Sequence, residues 1–236
     1  MEIRLQQKPK GATLIEGFPG FGLIGTIVTE FLIDQLKAEC IGTILVPELP
    51  AMATIHDHQL VYPIGIFYDR KHNLMILHII MPIHGIEWKL SGMITKLAKE
   101  LAFKDILSIE GVNSVVQHPT PQLFSYATGG VMQKRFEKLK IPPLREGIVL
   151  GLTGALMLAE MKTPYSCLFI ETHSALPDSK AAAIVIGILN DVFQLKLDTQ
   201  PLLEQAQRFE QKLRDLMERG RVASSEQEKK KLSYVG

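Results

Sequence analysis

Short apolar runs alternate with amphipathic stretches along most of the chain. Residues 13–17 (TLIEG) read as a strand, and Thr26 to Lys37 carries apolar residues at helical spacing, among them Ile27, Phe31, Ile33 and Leu36. Ile41 to Val46 is a β-branched strand closed by Pro47. Residues 64–68 and 74–80 read as a hairpin around the polar turn DRKHN. Trp88 to Phe103 is a helix with lysines on its wet side, and Asp105 to Ile109 a strand ending at Glu110-Gly111. Pro119 and Pro121 stiffen a loop over 112–123. The pattern continues with a strand at Phe124 to Thr128, a helix from Gly130 to Leu139, a brief strand at Gly147 to Leu150 and a helix from Thr153 to Met161. Ser166 to Glu171 is a strand and Ser179 to Phe193 a helix, capped by Asp178 or Ser179.

Strands between helices of this length predict a layered α/β fold with a mixed, largely parallel sheet, the hairpin supplying its antiparallel part. Several strands are apolar on consecutive residues, as expected where helices cover both faces. From Thr199 the character changes. Leu202, Leu203, Ala206, Phe209, Leu213 and Leu216 form one apolar stripe of a long C-terminal helix. The expected organisation is one α/β domain over 1–198, an amphipathic helix over 199–219 that packs on the domain or at a subunit interface, and a flexible polar tail over 220–236.

The 236 residues carry a net charge of only +1, so no global field points to nucleic acid or a membrane surface. Cys40 and Cys167, the two cysteines, read as free thiols in a reducing compartment. The N-terminus lacks the apolar core of a signal peptide, and no uncharged apolar run is long enough to span a bilayer. The expectation is a cytoplasmic protein.

Gly20-Phe21-Gly22-Leu23-Ile24-Gly25 matches the G-x-G-x-x-G phosphate loop, after a strand and before a helix, with Glu48 after the next strand. Phe18-Pro19 counts against a dinucleotide, because it separates strand from glycine and Pro19 removes an N–H. The alternative is a tight turn that lets helix and sheet approach closely. Gly151-Leu152-Thr153-Gly154 echoes the pattern before another apolar helix, without a nucleotide signature.

Residues 12–219 resemble the proteasome assembly chaperone 2 family, with its uncharacterised archaeal and bacterial members. The resemblance is carried by GFPGFGLIG (17–25), ILVPELP (44–50), YPIGIFYD (62–69), GIVLGLTGALML (147–158) and ETHSALPDSKAAAIVIGILN (171–190). Gly17, Phe18, Pro19, Gly20, Gly22 and Gly25 are its signature loop, and Gly151 and Gly154 its second glycine turn. The resemblance implies a three-layer α/β/α domain of nucleoside phosphorylase type, with no agreed catalytic set and no cofactor. Eukaryotic members assist assembly of proteasome α-rings. Archaeal members form homo-oligomers, and some contact proteasomes through a C-terminal tail. Such tails end in hydrophobic–tyrosine–any residue. Here Leu232, Tyr234 and Val235 are the apolar anchors, with the tyrosine third from the end, so the tail departs from that motif. Lys229, Lys230 and Lys231 would steer it toward a partner.

Among the histidines, His56-Asp57-His58 is the densest group, read as a solvated loop because no further metal-ligand spacing exists. His78 reads as a hydrogen-bonded core residue. The presumed strand ends collect a candidate pocket of Glu48, His84, Glu110, Glu171 and His173, where open α/β sheets bind ligands. No catalytic or metal residue is assigned. Two readings follow. The first is a homo-oligomeric protein-binding factor whose partners are itself and proteasome α subunits or another client. The second is a small-molecule enzyme on a phosphorylase-like fold, or a relative of ATP-grasp enzymes.

Overall fold

A computed structural model describes residues 1–49, 53–56, 58–113, 118, 120–172 and 176–204. The chain divides after Leu197. Within the first unit the strands are β1 (Glu2–Leu5), β2 (Thr13–Gly17), β3 (Glu39–Leu45), β4 (Thr54–His56), β5 (Gln59–Val61), β6 (Ile64–Asp69), β7 (Leu74–Ile79), β8 (Asp105–Asn113), β9 (Leu123–Ala127) and β10 (Tyr165–Thr172). The helices are α1 (Ile24–Leu36), α2 (Glu87–Glu100), α3 (Gly130–Lys138), α4 (Gly151–Met157) and α5 (Ser179–Phe193). Of the second unit, residues 200–204 are helical and the remainder of the expected C-terminal helix lies outside the described residues.

Eight strands form one sheet in the order β1-β3-β6-β7-β2-β8-β10-β9, and β4 and β5 pair separately. The centre, β7-β2-β8-β10, is parallel, and both flanks are antiparallel. Helices α1, α3 and α5 cover one face, while α2 and α4 cover the other. The result is the three-layer α/β/α fold. Both faces being covered explains why β2, β7 and β10 are buried along their whole length.

The larger core lies under α2 and α4. Leu14, Ile66, Leu77, Ile106 and Phe169 of the sheet meet Leu90, Ile94 and Leu97 of α2 and Leu152 and Leu156 of α4. On the other face α5 packs against α1. Its Ala181, Ala182 and Ala183 are buried, and the small side chains permit that approach. Asp178 caps α5, accepting from Ala181 N at 3.0 Å.

Two segments differ from the sequence pattern. Gly147 to Leu150, expected as a strand, joins no ladder, and it leaves Ile148 and Leu150 90% and 75% exposed. His56 ends β4 and His58 lies in the turn of the β4–β5 hairpin, where an irregular loop was expected. Strand β1 was not legible in the pattern at all.

Candidate functional site

The parallel strands β7, β2, β8 and β10 end on one edge. The connections out of β2 and out of β7 diverge there to opposite sides of the sheet, so the topological switch point lies between β7 and β2. The glycine loop sits at this point. Gly22 and Leu23 both adopt positive φ, 65° and 50°, to turn the chain from β2 into α1. Leu23 does so without a glycine's freedom, and the packing around it holds it there.

The glycines are contact points. A methyl group on Gly25 would lie 2.8 Å from Ile109 O, and one on Gly17 would collide with the Gly25 carbonyl. Gly111 of β8 is pressed in the same way against the carbonyl of Phe21. Across the loop, Asp178 N donates to Gly22 O at 2.9 Å, and Thr172 Oγ1 donates to Asp178 Oδ2 at 3.1 Å. A methyl on Gly22 would meet Thr172 Oγ1 at 2.9 Å. The volume before the α1 N-terminus is therefore occupied by the ends of β10 and α5. Gly22 has no room for a side chain, and the loop clamps β2, β8 and β10 together.

The second glycine turn meets the first at Phe18. Gly151, at φ 69°, brings the start of α4 against that ring, with 3.5 Å between Phe18 Cε2 and the position of an added methyl. Thr153 is thereby placed over β8, where its hydroxyl donates to Glu110 Oε2 at 2.8 Å. Deeper on the same face, Ser108 Oγ and Tyr165 Oη lie 2.6 Å apart. Glu16 is fully buried beside them. Ser108 faces its carboxyl, but the hydroxyl is engaged by Tyr165, and neither Glu16 oxygen completes a hydrogen bond among the described residues. Burial pushes Glu16 up to about 7 and Glu110 up to about 8, the nearby Glu16 adding to the rise at Glu110. Burial also raises the Tyr165 hydroxyl and the Cys167 thiol well above their ordinary values. Glu110, Tyr165 and Cys167 hold their protons at pH 7 while Glu16 sits near its midpoint, so Cys167 is no nucleophile.

Glu110 opens into a cavity of about 840 Å³ at the ends of β8 and β10. Glu171 and His118 share it, and Phe21, Phe124 and Phe169 contribute walls. Glu171 Oε2 accepts from His118 Nδ1 at 2.8 Å and from Gln122 N at 3.1 Å. At the mouth, Phe21 is 49% exposed beside Ile148 and Leu150. Of the carboxylates and histidines expected at the strand ends, Glu110 and Glu171 come together. Glu48 is apart, bound to Lys89 Nζ at 3.1 Å. His84 is largely exposed, 3.9 Å from Glu87. Neither lines the cavity. His173, Asp57 and the anchors Leu232, Tyr234 and Val235 lie outside the described residues.

Sequence reasoning missed Glu16, Thr153 and the partnership of His118. The signal for Glu16 was available, as the one charge inside an otherwise apolar strand. Among the described residues, no group of three or more histidine, cysteine or acidic side chains could hold a metal ion. No described helix is long and apolar enough to cross a membrane.

A three-layer α/β/α domain with a clamped glycine loop and a cavity at the ends of β8 and β10 defines the class. The model of the PAC2 family matches residues 14–217, and the chain belongs to that family. It is 25% identical to Pyrococcus furiosus PbaA, an archaeal homolog of proteasome-assembly chaperone, whose crystal structure superimposes with a TM-score of 0.83 over 97% of both chains. Pyrococcus furiosus PbaB, an archaeal proteasome activator, shares the fold with a TM-score of 0.76 at 22% identity, over 92% of this chain and 98% of that one. An uncharacterized protein of Methanocaldococcus jannaschii is 23% identical over 94% of this chain and 92% of its own.

Proposed function

We propose that this protein is a homo-oligomeric binding factor that assists assembly of, or binds to, the proteasome or another multi-subunit complex, and that it acts without catalysis in the cytoplasm. The observation that carries this reading is the end-to-end likeness to PbaA, a homolog of proteasome-assembly chaperone. The apolar mouth formed by Phe21, Ile148 and Leu150 supports it, since large exposed apolar side chains grouped together suit a protein contact. In this reading residues 1–198 are the body, 199–219 serve packing or subunit contact, and the tail with Leu232, Tyr234 and Val235 engages the partner.

The test is co-expression with proteasome α subunits of the same organism, comparing the full chain with a chain ended after Arg219. Native mass spectrometry should give a homo-oligomer and, for the full chain alone, a complex with α subunits. A monomer at micromolar concentration overturns the proposal, and absence of an α-subunit complex with either form removes the proteasome as its partner.

The second reading is a small-molecule enzyme on this phosphorylase-like fold. The cavity with Glu110 and Glu171 side by side favours it, because a neutral Glu110 could serve as a general acid. Its test is turnover of nucleosides and phosphorylated metabolites, with loss in Glu110→Gln.

A further inference from the structure

We propose that the cavity at the ends of β8 and β10 binds a cationic nitrogen, an ammonium or guanidinium group on an apolar arm, received by Glu110 and Glu171 beside Phe21 and Phe124. This goes beyond the partner reading and does not rest on it.

The two carboxyl groups reach one cavity because β8 and β10 run parallel. Phe169 pairs with Glu110 in register, which puts Glu171 two residues further along β10 on the same face. Both groups are held from behind. Thr153 Oγ1 donates to Glu110 Oε2 at 2.8 Å, and Gln122 N and His118 Nδ1 hold Glu171 Oε2 at 3.1 and 2.8 Å. The pairing with His118 fixes that ring's proton on Nδ1. Glu110 Oε1 lies over Gly20, where an added methyl would approach to 2.7 Å, so the signature loop leaves it room. These contacts fix each acceptor before a ligand arrives.

The lining selects charge. An anion would face two carboxyl groups, and among the described lining residues Arg145 at the rim and His118, already paired with Glu171, are the basic ones, with Glu146 beside Arg145. A cation would meet carboxylate oxygens beside the aromatic side chains of Phe21 and Phe124, both attractive to positive charge. A purely apolar ligand would gain the walls and leave the floor unused.

Cation binding has a signature that apolar binding lacks. The titratable groups around Glu110 are Glu16 on β2, Tyr165 and Cys167 on β10, and Glu171, His118, Arg145 and Glu146 around the cavity. Glu110, pushed up to about 8, holds its proton at pH 7. A nitrogen cation beside it favours the carboxylate and expels that proton to the buffer.

A free amine and a lysine or arginine side chain of a protein share this chemistry. The experiment is titration calorimetry of the full chain at pH 7, in two buffers of different ionisation enthalpy. The probes are 2-phenylethylamine, neutral 2-phenylethanol, anionic 3-phenylpropanoate, and the capped dipeptides Phe-Lys and Phe-Gln. The amine should bind at least about tenfold more tightly than the alcohol. It should release protons at pH 7 and few at pH 9. Glu110→Gln, which keeps an acceptor for Thr153, should weaken amine binding by about tenfold and abolish the release. Glu171→Gln should also weaken binding, and Glu48→Gln, outside the cavity, should leave it unchanged. Tighter binding of Phe-Lys than of the amine identifies a protein side chain as the source, and the reverse identifies a small molecule. Equal binding of amine and alcohol, or amine binding without proton release, overturns the proposal. So does absence of binding by any cationic probe up to about 10 mM. The proton release is read on the unaltered protein and does not depend on a variant folding.

Discussion

Gly17 and Gly25 pack backbone to backbone. The end of β2 and the first turn of α1 touch with no side chain between them, and a methyl on Gly25 would stand 3.0 Å from Gly17 Cα and 2.8 Å from Ile109 O. The signature glycines thus act as spacers of zero thickness that bring α1 onto the sheet.

Gly17→Ala is therefore expected to destabilise the fold by about 2–3 kcal/mol through overpacking against backbone that cannot yield. Urea unfolding measures it. Gly92, on the exposed side of α2 with nothing within 4 Å of an added methyl, is the control. Gly92→Ala should raise stability by up to about 1 kcal/mol, because alanine favours the helix.

The clamp also predicts what the loop does not bind. Millimolar NAD, FAD or ATP should leave the melting temperature unchanged, since Thr172 and Asp178 fill the volume before α1. A clear upward shift with any of them would show that the loop opens to accept a phosphate.

Stability should fall as pH rises from 6.5 to about 8. Glu16 and Asp105 are pushed up to about 7 and Glu110 to about 8, in each case chiefly by burial. Each binds its proton more tightly folded than unfolded. Its contribution is complete below the ordinary carboxylate range and is lost as pH climbs through the folded value. His78 acts in the opposite sense. Burial lowers it to about 4, so its contribution is present above its ordinary 6.5 and fades as pH falls toward 4. The acids act alone above 6.5, each with a slope of up to about 1.4 kcal/mol per pH unit. Glu16→Gln should reduce that slope and stabilise the protein at pH 8. Urea titrations at pH 6.5 and 8 decide it, and equal slopes in both proteins would sink the idea.

Thr29 and His78 join α1 to the sheet on the other face. The Thr29 hydroxyl donates to Gly25 O at 2.8 Å, so it accepts from His78 Nδ1 at 2.8 Å, and the His78 proton sits on Nδ1. Thr29→Val keeps the shape and strands that buried donor. The expected loss is about 1–3 kcal/mol, with Thr29→Ser recovering much of it. Thermal unfolding of both variants provides the check.

The order of most strands and helices was legible because their hydrophobic periods are local. TLIEG, LMILHII and YSCLFIE carry apolar residues at consecutive positions, which pointed to helices on both faces. Strand β1 escaped notice because a four-residue edge strand with charges at Glu2 and Arg4 lacks a buried face of its own. Gly147 to Leu150 misled for the opposite reason. Its apolar residues read as buried, yet Ile148 and Leu150 stand at the cavity mouth.

The sequence by itself determined the layered architecture, the two glycine turns and the family, because each is written in neighbouring residues; it left the cap of α5 open between Asp178 and Ser179, and the structure chose Asp178. It also named Glu110 and Glu171 as strand-end carboxylates. Only the tertiary structure decided that these two share a cavity while Glu48 and His84 stand apart. Strand order is set by long-range pairing: β8 and β10 became neighbours across an intervening antiparallel strand and two helices, while β6, β7 and β2 came between β3 and β8. The same pairing placed Thr153 over Glu110 and buried Glu16 without a partner, so the pKa values follow from packing between segments remote in the chain.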